Sequence, residues 1–412
     1  MQHTIYYEGC GAAEITPPLS KSITNRALVI SAVSGGAARL SGAARCDDSD
    51  TLGRLLSQLP EVMDAGAAGT AMRFATAYAA ATPGRRTLTG TERMKRRPIG
   101  PLVDALRQMG ADITYAGAEG YPPLAVCGGR LHGGRVAIPA DVSSQYISAL
   151  LLIAPGIGED LEIALEGTVA SKPYIDLTIG LMNEAGASAR WTPHSTIKVE
   201  ARPYRPCTID VEGDWSAASY FYEAAALSKA PGLSITLNGL RNGSMQGDSV
   251  VAAIFRDLGV DTAYTAGAAV LSRNGRRAER LDYDFSHCPD IAQTLAATCC
   301  AMGVPFRFTG LASLKIKETD RIEALSAELL KLGFHTAATD STLEWDGTAH
   351  APSSLTIDTY EDHRMAMAFA PMAAVFPGIR VEQPGVVSKS YPGFWRDLAA
   401  VGYRVAENTG AA

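Results

Sequence analysis

The chain has 412 residues, 47% hydrophobic and 19% charged, which is enough for two globular domains with substantial cores and excludes a disordered protein. With 37 basic against 43 acidic residues, the net charge of −6 excludes a nucleic-acid binder working by bulk charge, so any anion site must be a local cluster of cations. The seven cysteines form an odd set without metal-ligand spacing, and Cys299 and Cys300 lie side by side in an apolar run; they read as reduced, mostly buried thiols. Residues 1–4 open no signal sequence and apolar runs such as 149–154 are too short to span a bilayer, so a cytoplasmic protein is expected.

Taken in order, the N-terminal segment through Thr16 is β-like and is expected to complete the last repeat of the chain, described below. The stretch Ser20-Lys21-Ser22, with Asn25-Arg26, then opens the apolar run 27–33. Ser20 and Ser22 can accept from the free N–H groups of a helix start, and Lys21 and Arg26 add charge to a place already suited to an anion. The pattern recurs. About six polar loops each open an Ala-rich helix: the Lys21 loop, Gly66-Ala67-Ala68-Gly69-Thr70, Asp141-Val142-Ser143-Ser144-Gln145, Gly213-Asp214-Trp215-Ser216, Ser286-His287-Cys288-Pro289-Asp290 and Glu361-Asp362-His363-Arg364. The later ones recur at roughly 73 residues, a subdomain-sized period. Helices that are apolar almost all round are buried ones.

Each buried helix is followed by a short β-like run and then by a helix with one apolar stripe, as in Ile322, Leu325, Leu329 and Leu332. Four of these second helices stop at Gly110, Gly186, Gly259 and Gly333, where a left-handed cap is easiest. Two alternating strands come next, and 196–200 and 208–211 are read as one such pair. The unit is therefore βαβαββ, three units close around their buried helices into one domain, and six make two domains. The first unit departs from this, because its second helix, 52–59, runs into Pro60 and leaves no room for two strands; its sheet should be reduced. Chain crossings are expected near Pro18 and Gly213, with one domain formed by 1–19 and 214–412 and the other by 20–213.

Helix starts gathered in a cleft would draw anions. Arg93-Met94-Lys95-Arg96-Arg97-Pro98 and Lys315-Ile316-Lys317-Glu318-Thr319-Asp320-Arg321 each place several charges before a helix, and Ser171-Lys172-Pro173-Tyr174 and Ser388-Lys389-Ser390 repeat the Ser-Lys theme. Any one of these runs is also what a solvated face or a charged first turn looks like.

Together with Gly69-Thr70-Ala71-Met72-Arg73, Ser143-Ser144-Gln145 and Asp362-His363-Arg364-Met365-Ala366-Met367, these runs resemble, in order and over nearly the whole chain, the 5-enolpyruvylshikimate-3-phosphate synthase family of enolpyruvyl transferases. The resemblance implies an α/β fold, a two-domain inside-out α/β barrel built from six βαβαββ-type subdomains with the first one truncated here. It implies transfer of the enolpyruvyl group of phosphoenolpyruvate to the 5-hydroxyl of shikimate 3-phosphate, without a metal or other cofactor. By position, Ser143, Ser144, Ser171 and Arg26 would hold the shikimate phosphate, and Ser22, Gln145, Tyr174, Asp290 and Lys317 would complete that site. Lys21, Gly69, Arg97, Arg321, Arg364 and Lys389 would surround phosphoenolpyruvate. Asp290 would take the proton of the 5-hydroxyl, and Glu318 with Lys21 would protonate C3. Glyphosate would occupy the phosphoenolpyruvate site, and a monomer is expected.

The chain departs from the family pattern at Ala67 and Ser313, where Asn is usual, at Leu19, where Gly is usual, and at Phe74, where Pro is usual. His363 is either structural or functional on this reading, while Trp215 and His287 are assigned to packing. Two other readings stay open: the sister transferase acting on a UDP-linked amino sugar, against which no cysteine stands in the basic loop 92–97, and a non-catalytic anion-binding relative, against which Lys21, Asp290, Glu318 and Lys389 all stand.

Overall fold

The computed structural model describes residues 1–140, 143–169 and 171–408. The chain divides into two compact units, Leu19–Val211 and Met1–Pro18 with Glu212–Ala412. Leu19, Glu212 and Gly213 thus fall on the other side of the boundary from the one read off the sequence.

Among the described residues each unit has six α-helices, alternating between two kinds. In Leu19–Val211 they are α1 (Lys21–Val33), α2 (Asp47–Gln58), α3 (Gly69–Ala81), α4 (Gly100–Gln108), α5 (Ser144–Ile153) and α6 (Lys172–Glu184). In the other unit they are α7 (Trp215–Leu227), α8 (Val251–Asp257), α9 (Ala292–Met302), α10 (Arg321–Lys331), α11 (His363–Phe369) and α12 (Phe394–Ala400). The odd-numbered helices are buried on nearly every face; α7 buries Trp215 and then Ala217 through Leu227 without a break. The even-numbered ones bury one stripe, as α4 does with Leu102, Val103, Ala105 and Leu106. Alanine at so many odd-helix positions lets the backbones approach closely, and the bulk of each core comes from residues such as Phe74 and Tyr146 in one unit and Trp215 and Phe221 in the other. Gly110, Gly186, Gly259 and Gly333 all have positive φ where their helices end.

The sheets follow the βαβαββ expectation, with Val62–Asp64, Gly84–Thr89, Leu124–Gly128 and Asp112–Tyr115 in that spatial order in one sheet. Within it, Val62–Asp64 runs parallel to its neighbour across α3, and the hairpin after α4 is antiparallel. The first unit carries a reduced sheet of two strands, as its length requires.

Three sequence expectations are corrected. Cys207–Asp210 does not pair within its own βαβαββ repeat: it lies parallel to Ala38–Ser41 and supplies half of the reduced sheet of the first repeat, while Ala189–Thr192 and Thr196–Val199 form the hairpin. Only Gln2–Tyr7 completes the last sheet, where it sits between Ile379–Glu382 and Tyr403–Asn408. Ala12–Ile15 joins Ser234–Asn238 of the fourth unit instead, because Gly9, at φ 90°, turns the chain between the two strands. Finally, α2 starts at Asp47 rather than 52, since Asp47, Asp48 and Asp50 favour the positive end of the helix; it stops before Leu59, which precedes Pro60.

Candidate active site

In Leu19–Val211, the start of α1 is capped by Ser20, whose Oγ accepts from the Ile23 N–H at 3.3 Å. Lys21, the first helical residue, places Nζ 3.1 Å from Oδ2 of buried Asp48 in the first turn of α2. The lysine head is thereby pinned over the helix start. Asp48 carries no pattern that would have marked it in the sequence.

The start of α3 is built differently, since its N-cap, Ala68, has no side-chain acceptor. Arg97 lies over it instead. A Cβ on Gly69 would stand 2.6 Å and 2.7 Å from the two terminal guanidinium nitrogens of Arg97, so the glycine is what allows the cation to rest on the backbone. Arg97 is buried, and its Nε has no hydrogen-bond partner among the described residues. A second buried arginine, Arg73, donates to the Gly69 carbonyl at 3.1 Å and to the Pro98 carbonyl at 2.8 Å, which ties the Arg97 loop to α3. Arg73 belongs to the motif Gly69-Thr70-Ala71-Met72-Arg73, but nothing in the spacing of that motif marks its anchoring role.

Ser143 caps α5 by accepting from the Gln145 N–H at 3.3 Å, and Gln145 Nε2 donates to Thr70 Oγ1 at 3.1 Å. The starts of α3 and α5 are therefore neighbours. Ser144 and Ser171 are buried, and Ser171 precedes α6 in the left-handed region at φ 53°. Asp141 and Val142 of this loop lie outside the described residues.

Arg26, expected as a phosphate ligand, also makes four hydrogen bonds inside the unit. It is buried, and its donors are used inside the unit: Nε on Thr178 Oγ1 at 2.7 Å, Nη1 on the Ser22 carbonyl at 2.9 Å, and Nη2 on the Tyr174 carbonyl at 3.1 Å and Ser148 Oγ at 3.4 Å. Burial pulls its pKa down to about 10, still cationic at neutral pH. In this conformation Arg26 staples α1 to α5 and α6 and sets the positions of Ser22 and Tyr174.

In the other unit, four cations and three carboxylates interlock around the starts of α9, α10 and α11. Asp290 Oδ1 is 3.2 Å from Arg321 and 3.7 Å from Lys317, and its Oδ2 is 3.0 Å from Arg364. Glu318 is held between Arg321 at 2.9 Å and Lys389 at 3.3 Å. Asp362 caps α11, accepting from the Arg364 N–H at 2.9 Å, and holds Arg321 Nε at 2.6 Å. Burial alone would lower the Arg321 pKa, but Asp362, Glu318 and Asp290 outweigh it and raise it above the ordinary value. Asp290 and Glu318, proposed from sequence as separate acid–base groups, thus share one arginine. Lys317, Arg321, Arg364 and Lys389 are brought together with them.

Asp248, which no motif flagged, adjoins this cluster. It is buried in the turn Gly247–Val250 and accepts from Ser216 Oγ in the first turn of α7. Tyr220, whose pKa burial raises to about 12, accepts from Arg364 at 3.5 Å. His363 is buried 3.5 Å from Asp362. Trp215 is core, donating to Glu212 at 2.8 Å, and His287 is exposed.

Chemically, each unit gathers helix starts and buried cations of the kind that hold carboxylates and phosphates, and one unit adds two carboxylates able to move protons. Among the described residues no group of three or more His, Cys, Asp or Glu could hold a metal ion, and no helix is long and apolar enough to cross a membrane.

Comparison with known proteins bears on the same residues. The sequence model of the family described as EPSP synthase (3-phosphoshikimate 1-carboxyvinyltransferase) matches residues 52–398. A 3-phosphoshikimate 1-carboxyvinyltransferase of Bacteroides fragilis (strain YCH46) is 52% identical over 396 residues, covering 95% of this chain and 96% of that protein. One from Shewanella halifaxensis is 35% identical, covering 94% and 96%. The solved EPSP synthase of Acinetobacter baumannii superposes with a TM-score of 0.76 at 21% identity, covering 98% of this chain and 100% of that one, which supports the fold. With the ordered motifs, the cationic helix starts and a family model and relatives that match most of its length, this chain belongs to the EPSP synthase family.

Proposed function

We propose that this chain transfers the enolpyruvyl group of phosphoenolpyruvate to the 5-hydroxyl of shikimate 3-phosphate and releases phosphate. The observation that carries the reading is the placement of Asp290 and Glu318 on the two terminal nitrogens of Arg321, each with a further cation of its own. Simple anion binding needs the cations but not two carboxylates among them.

In the addition step the 5-oxygen bonds to C2 of phosphoenolpyruvate, Asp290 takes the hydroxyl proton, and C3 receives a proton from Glu318 with Lys21. In the elimination step C3 gives a proton back, the C2–O bond to phosphorus breaks, and phosphate leaves. Ser143, Ser144, Ser171 and Arg26 hold the shikimate phosphate, with Ser22, Gln145, Tyr174 and Lys317 on the rest of that substrate. Lys21, Arg97, Arg321, Arg364 and Lys389 neutralise phosphoenolpyruvate, and Gly69 keeps room for Arg97. The carboxylates now paired with Arg321 and Arg364 keep these cations ordered until a substrate carboxylate or phosphate competes for them. On this reading the protein is a cytoplasmic, monomeric target of glyphosate.

The test is a coupled phosphate-release assay with shikimate 3-phosphate and phosphoenolpyruvate. Release that requires both substrates supports the proposal; release with a UDP-linked amino sugar in place of shikimate 3-phosphate, or none with either, refutes it.

A further inference from the structure

We propose that Asp248 is a positioning residue for this reaction, a second buried carboxylate whose charge strengthens Asp290 as a base and competes with it for Arg364. Asp248 is 3% exposed. Its Oδ2 accepts from Ser216 Oγ, while its Oδ1 is buried without a hydrogen-bond partner among the described residues. The charged and titratable groups that face it are Asp290 at the start of α9, Arg364 in the first turn of α11, Asp214 at the cap of α7 and the Cys288 thiol. Of these, Asp290 and Arg364 are the pair held at 3.0 Å.

A buried carboxylate with an orphan oxygen is costly to ionise, and a like charge nearby adds to the cost. Burial first, then Asp290, push Asp248 up to about 7, against the pull of Arg364 and the Ser216 hydroxyl. Asp248 and Asp290 consequently lose their protons as an interacting pair. Once Asp248 is ionised, Asp290 faces a second negative charge and Arg364 serves two carboxylates, so Asp290 accepts the 5-hydroxyl proton more readily. Glu223 on α7 shows that location matters beyond burial. It is equally buried with both oxygens unpartnered among the described residues, but it faces Cys299 and Tyr403, away from the cluster.

The inference rests on Asp290 acting as the base, and the experiment separates the two. kcat is measured from about pH 5.5 to 9 for the parent, Asp248→Asn and Ser216→Ala, with phosphoenolpyruvate and shikimate 3-phosphate saturating. The parent should show an inflection near neutrality, with kcat about three-fold higher on its alkaline side, the gain expected for roughly one unit of added basicity at half proton transfer. In Asp248→Asn the inflection should vanish, kcat should stay at the parent's acidic-side level, and KM for both substrates should hold within about two-fold. Ser216→Ala, which removes the donor favouring the ionised form, should move the inflection to higher pH and does not depend on Asp248→Asn folding. An active parent whose profile is superimposable on those of both variants, or variants that lose the same fraction of kcat at every pH, would overturn the role of Asp248 alone. A parent that turns over neither substrate would overturn the enolpyruvyl reading and this inference with it.

Discussion

At the scale of single residues, the site depends on how close a cation can come to backbone. Arg97 rests on Gly69 only because no Cβ is there, and Gly69→Ala would put a methyl carbon within 2.6 Å of the guanidinium. The arginine must then move. Losing or lengthening one charge-assisted bond costs about 1.5–3 kcal/mol, so KM for phosphoenolpyruvate should rise roughly ten- to a hundred-fold with a smaller change in kcat. Steady-state kinetics decide it; an unchanged KM would mean that Arg97 does not touch this substrate. Ala67 acts in the opposite direction. Ala67→Asn should restore an amide donor and tighten glyphosate inhibition about ten-fold, read as the competitive inhibition constant. Asp290→Asn and Glu318→Gln should each lower kcat by roughly 10²–10⁴ while leaving the thermal midpoint close to that of the parent; near-normal turnover in either would remove that residue from proton transfer. Asp248 also has a stability signature. Its folded pKa, about 7, lies above the ordinary 3.8, so between those values the folded protein keeps a proton that the unfolded chain has lost. Stability therefore falls as pH rises through this window, by up to roughly 1.4 kcal/mol per unit. Asn cannot ionise, so the advantage of Asp248→Asn in thermal midpoint should grow from pH 4 to 7 and then level off; a constant offset would contradict the raised pKa.

At the scale of elements, the buried helices are held in place by side chains that a site reading would assign to substrate alone. Arg26 links three helices, and its guanidinium also stands 5.8 Å from the Phe74 ring on α3. Arg26→Ala would remove the bonds to Thr178, Ser148 and the Ser22 and Tyr174 carbonyls, costing about 3 kcal/mol or more. A urea midpoint that falls accordingly identifies a staple. An unchanged midpoint with a raised KM for shikimate 3-phosphate would leave Arg26 the role of phosphate ligand alone. The same helix changes the meaning of Phe74, which occupies the place of a usual proline. Phe74 is fully buried in the middle of α3, and a proline there would empty core volume and strain the helix, together costing above roughly 3 kcal/mol. Substrate affinity is therefore better probed at Ala67 alone.

At the scale of the whole molecule, two cores form from one repeating pattern but with unequal wiring. Leu19–Val211 is one continuous stretch, whereas the other unit draws on both ends of the chain. Its last sheet has Gln2–Tyr7 in an interior position, paired on both edges. Removing residues 1–8 should split that sheet, leaving two strands with unpaired edges and uncovering part of the core around Ile5. The truncated chain should lose cooperative unfolding of the unit Glu212–Ala412, measured by hydrogen exchange, while Leu19–Val211 keeps its protection. Retained protection in both would show that the N-terminal strand is dispensable.

What the amino-acid sequence determined by itself is what neighbours in the chain decide. The repeated loop-and-helix pattern, the cap at Ser20 and the glycine stops at Gly110, Gly186, Gly259 and Gly333 follow from local capping and periodicity, while Asp290 and Glu318 are marked as acid–base candidates by the resemblance of the ordered motifs to the family. What only the tertiary structure decided is which distant segments share a sheet or a charge. Nothing in the composition of Cys207–Asp210 says that it pairs with Ala38–Ser41, since a short alternating strand fits several edges equally well. Asp48 and Asp248 look like ordinary acidic residues until folding removes water from them and sets Lys21 beside one and Asp290 and Arg364 near the other. Arg26 reads as a free cation for the same reason, because its partners on α5 and α6 are assembled by packing and not by sequence spacing.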